Sequence, residues 1–171
     1  MVFDYDTLDS DGPGARLLTA MATLDAVRST LAGLRSVGVE PLHLASDAAV
    51  LARLLPVSED CEVILDLGSS RTLLCATHRG KAVWIRCLDS GVTSFGEAGA
   101  GRDDWLSQVR SSLISAEQGG APSIERIHVC GGAARHEGVL EAIQGALELP
   151  TGTLALPESP KEELSAPVPE S

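Results

Sequence analysis

The sequence is poor in aromatic and basic residues. Phe, Trp and Tyr make up 3% of the 171 residues, so the core must be built from aliphatic side chains. Thirteen Lys and Arg stand against 24 Asp and Glu, which gives a net charge of −11. Proteins that bind nucleic acid need a basic face, and anionic membrane surfaces attract basic segments. The composition therefore disfavours nucleic-acid binding and direct binding to a membrane surface.

Long apolar runs and paired cysteines are also missing. Uninterrupted apolar stretches such as Ala48 to Ala52 are far shorter than the roughly 18 residues of a membrane-spanning helix. The chain does not open on a charged segment followed by an apolar one, so no secretion signal is expected. The cysteines at 61, 75, 87 and 130 form no CxxC pair and are expected to be small buried side chains in a reducing compartment. We expect a cytosolic protein, or the cytosolic part of a larger one.

The remaining composition, 44% hydrophobic and 22% charged, is typical of a globular domain. Residues 1–15 are acidic and rich in turn formers, which predicts an N-terminal loop. Residues 16–154 carry the alternating patterns of strands and helices and are predicted to form one α/β domain. Residues 155–171 consist mainly of Pro, Glu, Ser and Ala, which predicts a linker or a tail.

Hydrophobic periodicity predicts strands and helices in alternation, with Asp25 as the cap of the first helix and a hairpin turn at 78–81. The predicted strands are 39–44, 62–67, 72–77, 82–87 and 124–130. The predicted helices begin near residues 25, 47, 103 and 139. This order predicts an α/β fold with a mixed sheet and flanking helices.

One segment that could bind a ligand runs from Asp66 to Thr72, where a strand enters a hairpin. A carboxylate followed by small residues at a tight turn can aim backbone N–H groups at a phosphate and hold a hydrated Mg²⁺. The candidate binding residues are Asp66, Gly68, Ser69, Ser70 and Thr72. Taken alone, this short segment is more typical of an ordinary hairpin turn than of a binding loop.

A second segment runs from Val129 to Val139, where a strand passes through two glycines into a helix. Gly131 and Gly132 would let the backbone approach a flat ligand such as an adenine ring. The alternative is a tight strand-to-helix turn with no ligand.

Taken together and in this order, the two segments resemble the second phosphate loop and the adenosine loop of the actin-like ATPase superfamily. Within it, the sequence resembles the PilM and GspL cytoplasmic-domain family of type IV pilus and type II secretion machines. The resemblance covers residues 16–152 and rests on three stretches: Asp25 to Leu55, Val63 to Gly91 and Ile127 to Thr151.

The resemblance implies an actin-like, RNase H-like mixed sheet with flanking helices. Family members with an intact nucleotide cleft have an earlier phosphate loop, and residues 1–60 show no such motif, so the first phosphate-loop subdomain is expected to be missing. The seven candidate residues above are then vestigial nucleotide loops, with no catalytic residue and no metal ligand. ATP and Mg²⁺ are expected only if the other half of the cleft is supplied.

The function that the resemblance implies is a non-catalytic cytoplasmic scaffold of a pilus or secretion inner-membrane platform. Its expected partners are the motor ATPase and platform proteins, with a homodimer as a further option and with no membrane span in this chain. Two alternatives stay open: a nucleotide-binding ATPase or kinase-related domain, and a polymerising bacterial actin or cell-division homologue.

Overall fold

The computed structural model describes residues 1–9, 16–91, 93 and 100–155. A short 3₁₀ helix spans Gly132–Arg135. The strands are β1 (Val2–Asp9), β2 (Arg16–Ala22), β3 (Cys61–Leu67), β4 (Thr72–His78), β5 (Lys81–Leu88), β6 (Ile124–Cys130) and β7 (Thr151–Thr153). The α-helices are α1 (Leu24–Ser36), α2 (Asp47–Ala52), α3 (Ala100–Gln118) and α4 (Val139–Leu147).

Five strands form one mixed sheet in the order β5-β4-β3-β6-β7. Strands β3, β4 and β5 are an antiparallel meander, whereas β6 runs parallel to β3 and β7 runs parallel to β6. The predicted mixed α/β sheet is therefore confirmed. Because β3 and β6 are parallel and Asp66 is the register partner of Cys130, their carboxyl ends meet at one edge of the sheet.

The two faces of the sheet are covered by different helices. Side chains alternate between the faces of a strand, so Leu65 of β3 packs with Trp105 of α3 and Ile143 of α4. Ile64, one residue earlier, packs on the opposite face with Ala52 of α2. The central strand is thus buried on both sides, which explains its nearly continuous apolar sequence.

Helix α1 begins two residues earlier than its sequence suggested. Thr23 is the cap, since its hydroxyl oxygen accepts the N–H of Ala26 at 3.2 Å, and Asp25 lies in the first turn instead. Gly38 follows the helix with φ +78°, a backbone conformation that favours glycine. No residue of α1 is buried.

The prediction of a loop over residues 1–15 was wrong for Val2–Asp9, which form β1 and pair antiparallel with β2. The acidic residues concealed a strand pattern, since Phe3, Tyr5 and Thr7 alternate with aspartates and have high strand propensity. Residues 10–15 lie outside the described residues.

Residues 39–44 contain no strand, although one was predicted there. Pro41 lacks an N–H group and cannot donate to a ladder, which accounts for the difference. Conversely, the three-residue strand β7 was not predicted. The predicted tail, beyond Ala155, lies outside the described residues. Within the described ranges, no helix is both long and apolar enough to cross a membrane.

Candidate functional site

The turn between β3 and β4 is closed by its own backbone. The N–H of Gly68 donates to the carbonyl oxygen of Arg71 at 3.0 Å, and Ser69 and Ser70 at the tip are exposed. Asp66 lies two residues before Gly68 and is partly buried. The hairpin, called here the DxG turn (Asp66 to Thr72), therefore presents its two serines to solvent.

Gly131 packs directly against the start of the DxG turn. Its φ is +89°, and a Cβ atom built on it would lie 2.5 Å from both Oδ1 of Asp66 and the carbonyl oxygen of Leu67. Only glycine fits such an approach between two backbones. A Cβ on Gly132 would meet nothing within 4 Å. The two predicted segments are thus in contact with each other, and only Gly131 is sterically required.

Thr72 makes two hydrogen bonds within the protein. Its side chain is fully buried, its hydroxyl donates to the carbonyl oxygen of Ser90 at 2.7 Å, and it accepts the indole N–H of Trp105 at 3.0 Å. Strand alternation turns Thr72 toward the α3 face of the sheet, away from solvent. Its role as a binding residue stays a prediction.

The segment after β5 closes on the same turn from the other side. A Cβ on Gly91 would lie 2.4 Å from the carbonyl oxygen of Gly68. The backbone N–H and the hydroxyl of Thr93 both donate to the carbonyl oxygen of Ser69, at 3.2 and 3.0 Å. Residues 90, 93 and 105 were not predicted as part of the site, because they come from other elements. Gly91 is the last residue of the stretch from Val63 to Gly91 that carries the family resemblance, and this is the signal that points to it.

A cleft of about 380 Å³ opens where the two segments meet. Its lining includes the polar residues Asp66 and Arg135 and the apolar residues Leu51, Leu54 and Leu154. The cleft belongs to the α2 side of the sheet.

Cys130 sits in this cleft beside Asp66. Burial, the Asp66 charge and a hydrogen bond to Asp66 raise the pKa of the Cys130 thiol to about 12. The thiol therefore stays protonated at neutral pH.

An exposed ion pair joins the DxG turn to α2. Arg71 Nη2 lies 3.0 Å from Asp47 Oδ2, with side chains 60% and 54% exposed. A pair this exposed contributes little to stability, about 0–1 kcal/mol. In the part of the chain that the structure describes, no group of three or more His, Cys, Asp or Glu side chains could hold a metal ion.

Comparison of the sequence with protein-family models and with curated proteins finds no significant match. Solved structures do match. A chain of the PilM–PilN type IV pilus biogenesis complex superposes with a TM-score of 0.70 and 22% identity, over 88% of this chain and 55% of that one. MreB5 of Spiroplasma citri matches with a TM-score of 0.57 and 14% identity, bound to AMPPNP or to ADP, over 78% of this chain. The match covers 60% and 61% of the two MreB5 chains, respectively.

These likenesses, together with the sheet order and the paired loops, define an actin-like fold. Within that fold class the chain is similar to PilM, as its sequence suggested. It spans a little over half the length of the PilM–PilN complex chain.

Proposed function

We propose that this chain is a non-catalytic actin-like adaptor on the cytoplasmic side of a type IV pilus or type II secretion platform. It would bind cytoplasmic segments of inner-membrane platform proteins and recruit the motor ATPase. The observation that carries the proposal is the likeness in fold to a chain of the PilM–PilN complex.

The geometry of the DxG turn supports a non-catalytic role. A working phosphate loop must aim its polar groups at the ligand. Here the Thr72 hydroxyl bonds Ser90 and Trp105, and Thr93 holds the turn at the Ser69 carbonyl, which is an acceptor and takes no part in phosphate binding. These contacts fasten the turn to α3 and to the segment after β5, so the loop supports the fold.

The acidic charge supports a protein partner with basic character. A net charge of −11 speeds encounter with a basic surface and makes association depend on salt. The expected partner segments are therefore rich in Lys and Arg.

Nucleotide binding is the second candidate, favoured by the cleft between Asp66 and Arg135 and by the fold shared with nucleotide-bound MreB5. The fit is only partial. Gly132 leaves open space beside its backbone and Asp66 supplies one carboxylate, but the Thr72 side chain is buried. The described residues would then form one wall of a nucleotide site, and no hydrolytic step follows from them.

The test is direct binding of the purified chain to immobilised cytoplasmic segments of pilus and secretion platform proteins and to their motor ATPases. We expect capture of a platform segment, with unchanged affinity in Asp66→Asn, because that residue serves the fold and not the partner. Melting curves show whether the variant is folded. Failure to bind any segment, together with Mg²⁺-ATP binding that Asp66→Asn abolishes, would favour the second candidate.

A further inference from the structure

The ribbon formed by β1 and β2 leaves large apolar side chains in solvent. Phe3, Tyr5 and Met21 are 71%, 60% and 71% exposed, and Phe3 is the register partner of Met21. The whole sequence has only five Phe, Trp and Tyr residues, and two of them stand here. Exposed aromatic and Met side chains on one face are typical of protein interfaces.

One edge of β1 has no strand beside it within the described ranges, where β1 pairs with β2 alone. Two contacts identify this edge. The N–H of Tyr5 donates to Oδ1 of Asp4 at 2.8 Å, and the carbonyl oxygen of Thr7 accepts from Nζ of Lys81 at 2.8 Å. Residues two apart in a strand direct their backbone groups to the same side, so both contacts lie on the edge away from β2. Polar side chains of this kind protect an edge that lacks a partner strand.

The sequence of β1, VFDYDTLD, indicates which types of residue an added strand should carry. Phe3 and Tyr5 face one side and Asp4 faces the other, and the strand carries three aspartates and no basic residue. An added strand would place its side chains beside these, apolar next to Phe3 and Tyr5 and basic next to Asp4. A second copy of β1 would instead set aspartates against aspartates, which disfavours a dimer at this edge.

We propose that the edge of β1 away from β2 binds an extended peptide in which basic and apolar residues alternate, added as a further strand to the ribbon in place of the Asp4 and Lys81 side-chain contacts. The proposal rests on the adaptor role above only for the identity of the natural partner. The site itself is defined by the edge at Tyr5, the apolar pair Phe3 and Met21, and the charge of Asp4.

The probe is a fluorescent eight-residue peptide of alternating Lys and Val, measured by anisotropy with the full 171-residue chain. The controls are a Lys-Lys-Val-Val repeat of the same composition and an alternating Glu–Val peptide. We expect the alternating Lys–Val peptide to bind at least about tenfold more tightly than either control. Its affinity should fall as ionic strength rises from about 0.01 M to about 0.15 M.

Two substitutions at Tyr5 test whether the backbone N–H at the edge of β1 binds the peptide. Tyr5→Pro removes the outward N–H, which an edge strand tolerates, and should weaken binding by about tenfold or more. Tyr5→Val keeps the N–H and should change affinity by less than about threefold. Asp4→Lys should reverse the preference toward the Glu–Val peptide, which tests the site even if Tyr5→Pro disturbs the ribbon. Amide exchange of the complex should show new protection at residues 3–7.

The edge site would be overturned if all three peptides bound equally or if the two Tyr5 variants had equal affinities. It would also be overturned if the chain formed a dimer that Tyr5→Pro dissociates. If the Lys–Val peptide binds as expected while no platform segment does, the adaptor role fails and the edge site stands. If platform segments bind Tyr5→Pro as tightly as the unmodified chain, the edge site fails and the adaptor role stands.

Discussion

Substitution of Gly131 by alanine tests whether the two loop segments brace each other. A Cβ there would lie 2.5 Å from Oδ1 of Asp66 and 2.8 Å from the carbonyl carbon of Leu67. Alanine at a φ of +89° also occupies a strained backbone region, which costs about 1–3 kcal/mol. Overpacking against fixed backbone adds about 1–3 kcal/mol.

We therefore expect Gly131→Ala to lower the free energy of unfolding by about 2–6 kcal/mol in urea titrations. At roughly 2–4 °C per kcal/mol for a chain of this size, the thermal midpoint should fall by about 4–24 °C. The matched control is Gly132→Ala, whose Cβ meets nothing within 4 Å and whose stability should stay within about 1 kcal/mol. Equal midpoints for the two variants would refute the bracing contact.

Thr72→Val keeps the shape of the side chain but leaves the indole N–H of Trp105 without its partner, so the variant should lose about 1–3 kcal/mol. A double-mutant cycle with Trp105→Phe measures the coupling, and strictly additive effects would contradict the hydrogen bond. Stability should also depend on pH above 9. Burial raises the pKa of Cys75 to about 12, and burial with Asp66 raises that of Cys130 to about 12, from 9.0 in both cases. The folded state therefore binds these protons more tightly, and their contribution is complete below pH 9 and is lost as pH rises toward 12. Urea titrations should show a shallower decline in this window for Cys75→Ala, and an unchanged slope would contradict the burial of that thiol.

Local sequence patterns were enough to locate the DxG turn and the strand-to-helix turn at Gly131, because each turn depends on a few adjacent residues that allow an unusual backbone conformation. They did not reveal that Thr72 bonds Trp105, since that contact depends on which face of the sheet α3 covers. They also misjudged β1, because strand pairing with β2 outweighs an acidic composition that is typical of loops. Strand β7 is three residues long and has no periodicity to detect.

The most direct test of the central claim is a calorimetric titration of pilus and secretion platform segments into this chain, with and without Mg²⁺-ATP. We predict that at least one platform segment binds with the same affinity in both conditions, because the proposed adaptor role assigns the DxG turn to the fold rather than to a nucleotide. Binding that appears only with Mg²⁺-ATP, accompanied by phosphate release that Asp66→Asn removes, would contradict it.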